Sequence, residues 1–208
     1  MAKKKARRKT PPKRTPPKTA SAGAVYQFRI TLLDVHPPVW RRIQVQECFL
    51  EELHRHIQGA MGWTDSHMYL FDIDDITYGY AFEHDLDGEH VVVSAATTLL
   101  RTVLPTSKPD FSFRYTYDLG DSWEHLIVLE RVCQPDPKSR YPLCLDGKRA
   151  CPPENCGGAP GYEHLLCVLR DPEDEEHDEL LEWVGGNFDP EDFDPKRATR
   201  MMAKGLRS

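Results

Sequence analysis

No apolar run in this 208-residue chain approaches the ~20 residues that a membrane-spanning helix needs, and the mean hydropathy is −0.58. A helical membrane protein is excluded on that ground. The basic N-terminus lacks the apolar stretch of a secretory signal, so the cytoplasm is the expected compartment. There the six cysteines stay reduced, and metal binding or plain burial accounts for them better than disulfides. A phosphate-binding loop, a dinucleotide-binding glycine fingerprint and a nucleophile elbow are all missing, as are internal repeats. The length suits one domain of ordinary size or two small ones.

Each sign of charge is missing from one stretch. Residues 1–24 hold nine Lys/Arg and no Asp/Glu, whereas residues 171–194 hold twelve Asp/Glu and no Lys/Arg. The net charge of −6 therefore conceals a strongly basic tail on a strongly acidic body. With four prolines and few apolar side chains, residues 1–24 cannot bury enough surface to offset the entropy of ordering, so a disordered tail is predicted. Such a tail suits either nucleic acid, through phosphate contacts by residues 3–18, or a solubilising extension attracted to the acidic body. The acidic run reads as the solvated face and first turns of helices.

What is present is strand periodicity early and helical periodicity late. Tyr26, Phe28, Ile30 and Leu32 alternate with polar residues, and after His36-Pro37-Pro38 the alternation resumes through Ile43 and Val45. Leu50, Leu53, Ile57 and Met61 predict a helix over 49–61 closed by Gly62. Asp74-Asp75 reads as a hairpin turn between residues 67–73 and 76–83. Residues 83–94 fail as a calcium loop because Ser94 stands where a bidentate Glu belongs. A short helix is predicted over 95–104. Phe111, Phe113, Tyr115 and Tyr117 face Trp123, His125, Ile127 and Leu129 in the clearest hairpin of the chain. A proline-rich loop over 134–160 follows, then helices from Pro160, over 178–184, and from the Asp194-Pro195 cap. Strands first and helices last argue for an α+β fold: one compact domain over 25–200, mainly antiparallel sheet with helices packed on it and a helical C-terminal part. Residues 201–208 form the end of the last helix or a tail.

Five segments in order, PPVWRRIQV (37–45), GWTDSHMY (62–69), YDLGDSWEH (117–125), RYPLCLDGKRACPPENCGGAPGY (140–162) and LLEWVGGNFDPEDFD (180–194), resemble the plasmid pRiA4b third-open-reading-frame-like family. The resemblance covers residues 25–200 and implies a compact bacterial or archaeal domain, often carried on plasmids or beside mobile elements. It brings no biochemical activity with it. A resolvase-like label attaches to some relatives, yet this chain has no serine-recombinase signature.

Two clusters carry candidate chemistry. Cys144, Cys151 and Cys156, with His164 or Cys167 as a fourth ligand, have the side chains a structural zinc site needs. The spacing lacks a Cys-x-x-Cys pair, and free cysteines also behave as small hydrophobes. The hairpin around Asp118, Asp121, Trp123, Glu124 and His125 offers carboxylates beside a histidine, as general acid–base chemistry or a hard metal site requires, with His67, Arg41 and Glu154 able to join. Against that, Asp and Gly build turns and a His on an aromatic face is commonly a satisfied core residue. Gly157-Gly158 at a helix start suits an anion or simply a tight turn. The leading expectation is a non-enzymatic binding module whose acidic surface and aromatic-rich sheet hold a protein partner, with Arg41 and Trp123 as binding residues. The alternative is a metal-assisted hydrolase or nuclease built on Asp118, Asp121, His125 and His67, and a weaker one is nucleic-acid binding through the tail.

Overall fold

The structure is a computed structural model that describes residues 23–80, 92–105, 108 and 110–205. Residues 1–22 of the tail predicted over 1–24, and the acidic turn at 83–89, lie outside the described residues. Among the described residues eight strands form one sheet: β1 (Val25–Leu32), β2 (Trp40–Gln46), β3 (Tyr69–Ile73), β4 (Ile76–Gly79), β5 (Val92–Ser94), β6 (Phe111–Tyr117), β7 (Trp123–Cys133) and β8 (Leu143–Lys148). Their order is β5-β4-β3-β6-β7-β1-β2-β8. Every pairing is antiparallel except β4 with β5. Among the described residues five α-helices accompany the sheet: α1 (Leu50–Met61), α2 (Leu100–Val103), α3 (Gly158–Val168), α4 (His177–Trp183) and α5 (Pro195–Gly205). The fold is α+β, as the segregation of strand and helix signals predicts.

Alternation along the strands sorts the sheet into two unlike faces. The register sets Phe28 against Ile43 and Leu129, Ile127 against Phe113, and Tyr115 against His125 and Phe71. All of these are buried. They meet Leu50, Leu53, Ile57 and Met61 of α1, whose apolar positions recur at helical spacing. The aromatic-rich face is therefore the core, and it is not a surface on which a partner docks. The opposite face is polar: Arg42 grips the Glu130 carboxylate through Nε at 2.8 Å and Nη2 at 2.8 Å. The guanidinium groups of Arg29 and Arg42 lie over the Trp40 ring, at 4.9 and 5.5 Å from its centroid.

Two predicted elements change. The helix over 95–104 divides into a 3-10 turn at Ala95–Thr97 and the single turn of α2, because Thr98 and Leu99 are extended and Leu99 bridges Phe49. The proline-rich loop contains β8, an edge strand on β2. Cys144 consequently sits on a strand.

Close packing of α1 on α5 completes the frame. A Cβ added to Gly59 would lie 2.6 Å from the Met202 backbone nitrogen, so only glycine permits that crossing. α1 then stops at Gly62, which has φ 109° and donates its N–H to the Gln58 carbonyl at 2.8 Å. Asp194 starts α5 by accepting the Lys196 N–H at 2.8 Å. Among the described residues no helix is long and apolar enough to cross a membrane.

Candidate functional site

The segment after α1 is held by side chains, one backbone donor at a time. Thr64 N–H donates to Glu154 Oε1 at 2.7 Å, Asp65 N–H to Gln58 Oε1 at 3.1 Å, and Ser66 N–H to the Tyr117 hydroxyl at 3.0 Å. Three successive amides are thereby satisfied without regular structure. The next residue, His67, comes to rest between two carboxylates, with Nε2 3.5 Å from Asp118 Oδ2 and 3.7 Å from Glu154 Oε2. Neither distance is a hydrogen bond, and Nε2 is buried with no hydrogen-bond partner.

Both carboxylates already serve the fold. Glu154 Oε1 accepts from Thr64 N, Thr64 Oγ1 and the Tyr117 hydroxyl. Asp118 sits in the left-handed region at φ 54°, and its Oδ1 accepts the Gly120 and Asp121 N–H groups that make the β6–β7 turn. The Tyr117 hydroxyl resists ionisation because burial and the nearby Glu154 charge both penalise the phenolate.

Glu154 and Thr64 also form one end of a cavity of about 480 Å³. Its walls come from the end of α1, the 150–154 segment, the 188–194 segment and α5, with Met61, Trp63, Pro152, Phe188 and Phe193 supplying apolar surface. Size and lining fall in the range of ligand pockets, which are mostly apolar with a few placed polar groups. Arg41 borders this cavity while only 1% exposed. Strand register puts it there: it pairs with Ile30 and shares the inward phase of Ile43 and Val45. Its Nε donates to the Ala60 carbonyl in the last turn of α1 at 2.9 Å, and Nη1 donates to the carbonyls of Trp40 at 2.9 Å and Lys148 at 2.8 Å. The Phe193 ring lies 4.1 Å from the guanidinium carbon. Burial pulls the Arg41 pKa down from its ordinary value.

Residues 24–197 match the family described as plasmid pRiA4b ORF-3-like protein. The chain belongs to that family. Its relatives include an uncharacterised protein, y4hQ, of Sinorhizobium fredii, 39% identical over 166 residues, which cover 79% of this chain and 83% of that one. A solved structure of a protein of unknown function from Methanosarcina mazei is similar with a TM-score of 0.74 and 36% identity, covering 83% of this chain and 96% of that chain.

In this member of the pRiA4b ORF-3-like family the expected site residues separate into three groups. His67, Asp118 and Glu154 come together. His125 does not: it is fully buried on the core face, with Nδ1 3.2 Å from the Tyr115 carbonyl oxygen and Trp63 edge-on at 5.4 Å. Burial lowers its pKa to about 4, so it is a neutral core residue rather than a base open to substrate. Trp123, on the same strand phase, is likewise core at 2% exposure, which removes it from the binding set. Asp121 spends its carboxylate on the start of α3, where Oδ2 accepts the Gly157 N–H at 3.2 Å. The Gly157 N–H, which suits an anion, thus meets a carboxylate of the protein itself.

The zinc set does not assemble. Among the described residues no three His, Cys, Asp or Glu side chains are arranged to hold a metal ion. Cys144 lies under α5, its N–H taken by Thr199 Oγ1 at 2.9 Å, while Cys151 borders the Arg41 cavity. Cys156 lies near the Asp121 charge, and His164 is exposed on α3 with Nε2 3.0 Å from Glu176. Burial pushes the Cys144 and Cys156 thiols up to about 11 and about 12, so both stay protonated. The residues that sequence reasoning passed over are Tyr117, Thr64 and Gln58, which position the 64–67 segment, and Met61, Phe188 and Phe193, which wall the cavity.

Proposed function

We propose that this protein is a non-enzymatic binding module for a protein partner, and that the partner inserts a segment into the cavity beside Arg41. The observation that carries this reading is the cavity itself: apolar walls drawn from four separate stretches of chain, with a desolvated arginine at its edge. The His67 cluster nearby supports a structural role better than a hydrolytic one, since Glu154 Oε1 and Asp118 Oδ1 are occupied by backbone and hydroxyl donors. His125 and Asp121, which a metal-assisted hydrolase on this hairpin would use, face the core and α3.

A displayed peptide library selected on the full chain, then screened against Met201→Trp, tests the reading. Met201 is 41% exposed on α5 and lines the cavity, so a larger ring there narrows it. Binders that need the open cavity are expected. A library that yields none, or turnover of ester or nucleic-acid substrates with added divalent metal that is lost in His67→Ala, would sink the proposal.

A further inference from the structure

An arginine has five N–H donors and no acceptor. At Arg41 three of them go to the carbonyls of Ala60, Trp40 and Lys148. The two on Nη2 have no hydrogen-bond partner among the described residues, and the side chain borders the cavity. Full burial of an arginine without a carboxylate is rare and costly, because desolvation must be met by pairing. The Ala60 carbonyl in the last turn of α1 answers part of that cost. The charged or ionisable side chains that act on Arg41 are the thiols of Cys144 and Cys151, the imidazole of His125 and the cation of Arg197, with no carboxylate among them.

The carboxylates that line the cavity are engaged elsewhere. Asp192 pairs with Arg197 at 2.6 Å, Asp194 caps α5, and Glu154 holds Thr64 and Tyr117. Among the described residues no carboxylate is left to serve as a counter-charge for Arg41. Three carboxylates against two guanidinium groups leave the lining net negative, which disfavours a dianion such as a phosphate monoester more strongly than a monoanion. Met61, Trp63, Phe188 and Phe193 offer apolar surface to whatever carries the charge.

We propose that Arg41 is the anchor of a carboxylate site, and that the group taken by the cavity is a monocarboxylate on an apolar stem, presented by the C-terminus of a partner chain. This deepens the reading of the cavity as the binding site and rests on it. Nη2 donates to the carboxylate, Phe193 holds the guanidinium plane, and the stem fills the space along Met61 and Trp63.

The test is isothermal titration of the full chain with an N-acetylated dileucine peptide as the free acid, the same peptide as the C-terminal amide, hexanoate, and inorganic phosphate. The free acid is expected to bind at least tenfold more tightly than the amide, and to lose at least tenfold in Arg41→Met and in Met201→Trp. Should Arg41→Met fail to fold, with three carbonyls left unpaired, Met201→Trp decides, because it keeps every Arg41 hydrogen bond. Equal binding of acid and amide in the open cavity would overturn the carboxylate site and leave the binding module standing. Acid binding that Met201→Trp does not weaken would place the site elsewhere and overturn both. Hexanoate binding more tightly than the peptide would support the carboxylate site and refute the protein partner. Phosphate binding more tightly than either acid, or no binding by any probe, would overturn the inference.

Discussion

Acid should weaken this fold well before its carboxylates titrate. His56 and His125 are both buried, at 4% and 0% exposure, and burial lowers each pKa from 6.5 to about 4. In the unfolded chain each imidazole takes up a proton near its ordinary value, so below pH 6.5 the unfolded state binds more protons than the folded one. Stability is therefore intact above about pH 6.5, falls as pH drops toward 4, and levels off for these groups below it. A shift of that size corresponds to about 3–4 kcal/mol per histidine, at about 1.4 kcal/mol per pH unit for each proton. Two such groups remove about 7 kcal/mol, comparable with the whole stability of a typical domain. Asp65, held low by its contact with His54, adds a loss of the same sign, with its onset near the ordinary carboxylate range. Urea unfolding at half-unit steps from pH 7.5 to 4.5 measures the slope, and His125→Phe isolates one proton of it. Phenylalanine keeps an aromatic ring against Trp63 and Tyr115, which stand 5.4 and 5.2 Å away. A wild-type profile that is flat over this interval, or a His125→Phe slope equal to wild type, would refute the assignment of His125 as a neutral core group.

Three further outcomes follow from single contacts. Gly161→Ala places a Cβ 1.8 Å from the Cys156 carbonyl oxygen, so the first turn of α3 cannot form as it stands; a loss on the order of 3 kcal/mol is expected in urea unfolding. Glu154→Ala removes the acceptor shared by Thr64 N, Thr64 Oγ1 and Tyr117, with an expected cost of about 1–2 kcal/mol. Glu154→Gln, which retains Oε1, should cost roughly half that or less, and equal losses in the two variants would mean that charge rather than Oε1 holds the segment. Removing residues 1–22 takes away all nine Lys/Arg of the tail. Any DNA binding by the full chain should vanish with it and, in the full chain, fall steeply between 50 and 200 mM salt, as expected for about six or more phosphate contacts. Binding that persists without those residues would place the contact on the acidic body.

Most of the sheet was readable because half-buried strands betray themselves by a period of two. β1, β6 and β7 carry that alternation over seven residues or more. β8 does not: its sequence LCLDGK has only Leu143, Cys144 and Leu145 as apolar residues, and Leu145 is exposed. An edge strand lying in a proline-rich stretch is fixed by its partner β2, and that is a tertiary fact. Alternation also grouped Trp123 with His125 while leaving open which way the pair faced. The face was settled by α1, whose Leu53 and Ile57 belong to the same buried cluster as Trp123 and Tyr115. His67, Asp118 and Glu154 lie far apart in sequence, and the amide-by-amide support of residues 64–66 that brings them together has no periodic signature.

Arg41 is the opposite case, since its burial is written in the strand. In Val39-Trp40-Arg41-Arg42-Ile43-Gln44-Val45 the inward phase runs Val39, Arg41, Ile43, Val45, and all four are buried. Arg42, in the outward phase, instead finds Glu130 on the polar face. Two adjacent arginines thus meet opposite electrostatics. Arg42 has a carboxylate and partial solvent, an arrangement worth at most about 1 kcal/mol at a surface. Arg41 has three carbonyls, an aromatic ring and a cavity. A guanidinium used only to tie α1, β2 and β8 together would gain from a carboxylate of the chain beside it, yet the nearby Asp192, Asp194 and Glu154 bind other donors. A cation kept in the apolar phase of a strand, opened to a cavity and without a counter-ion among the described residues is arranged to receive an anion.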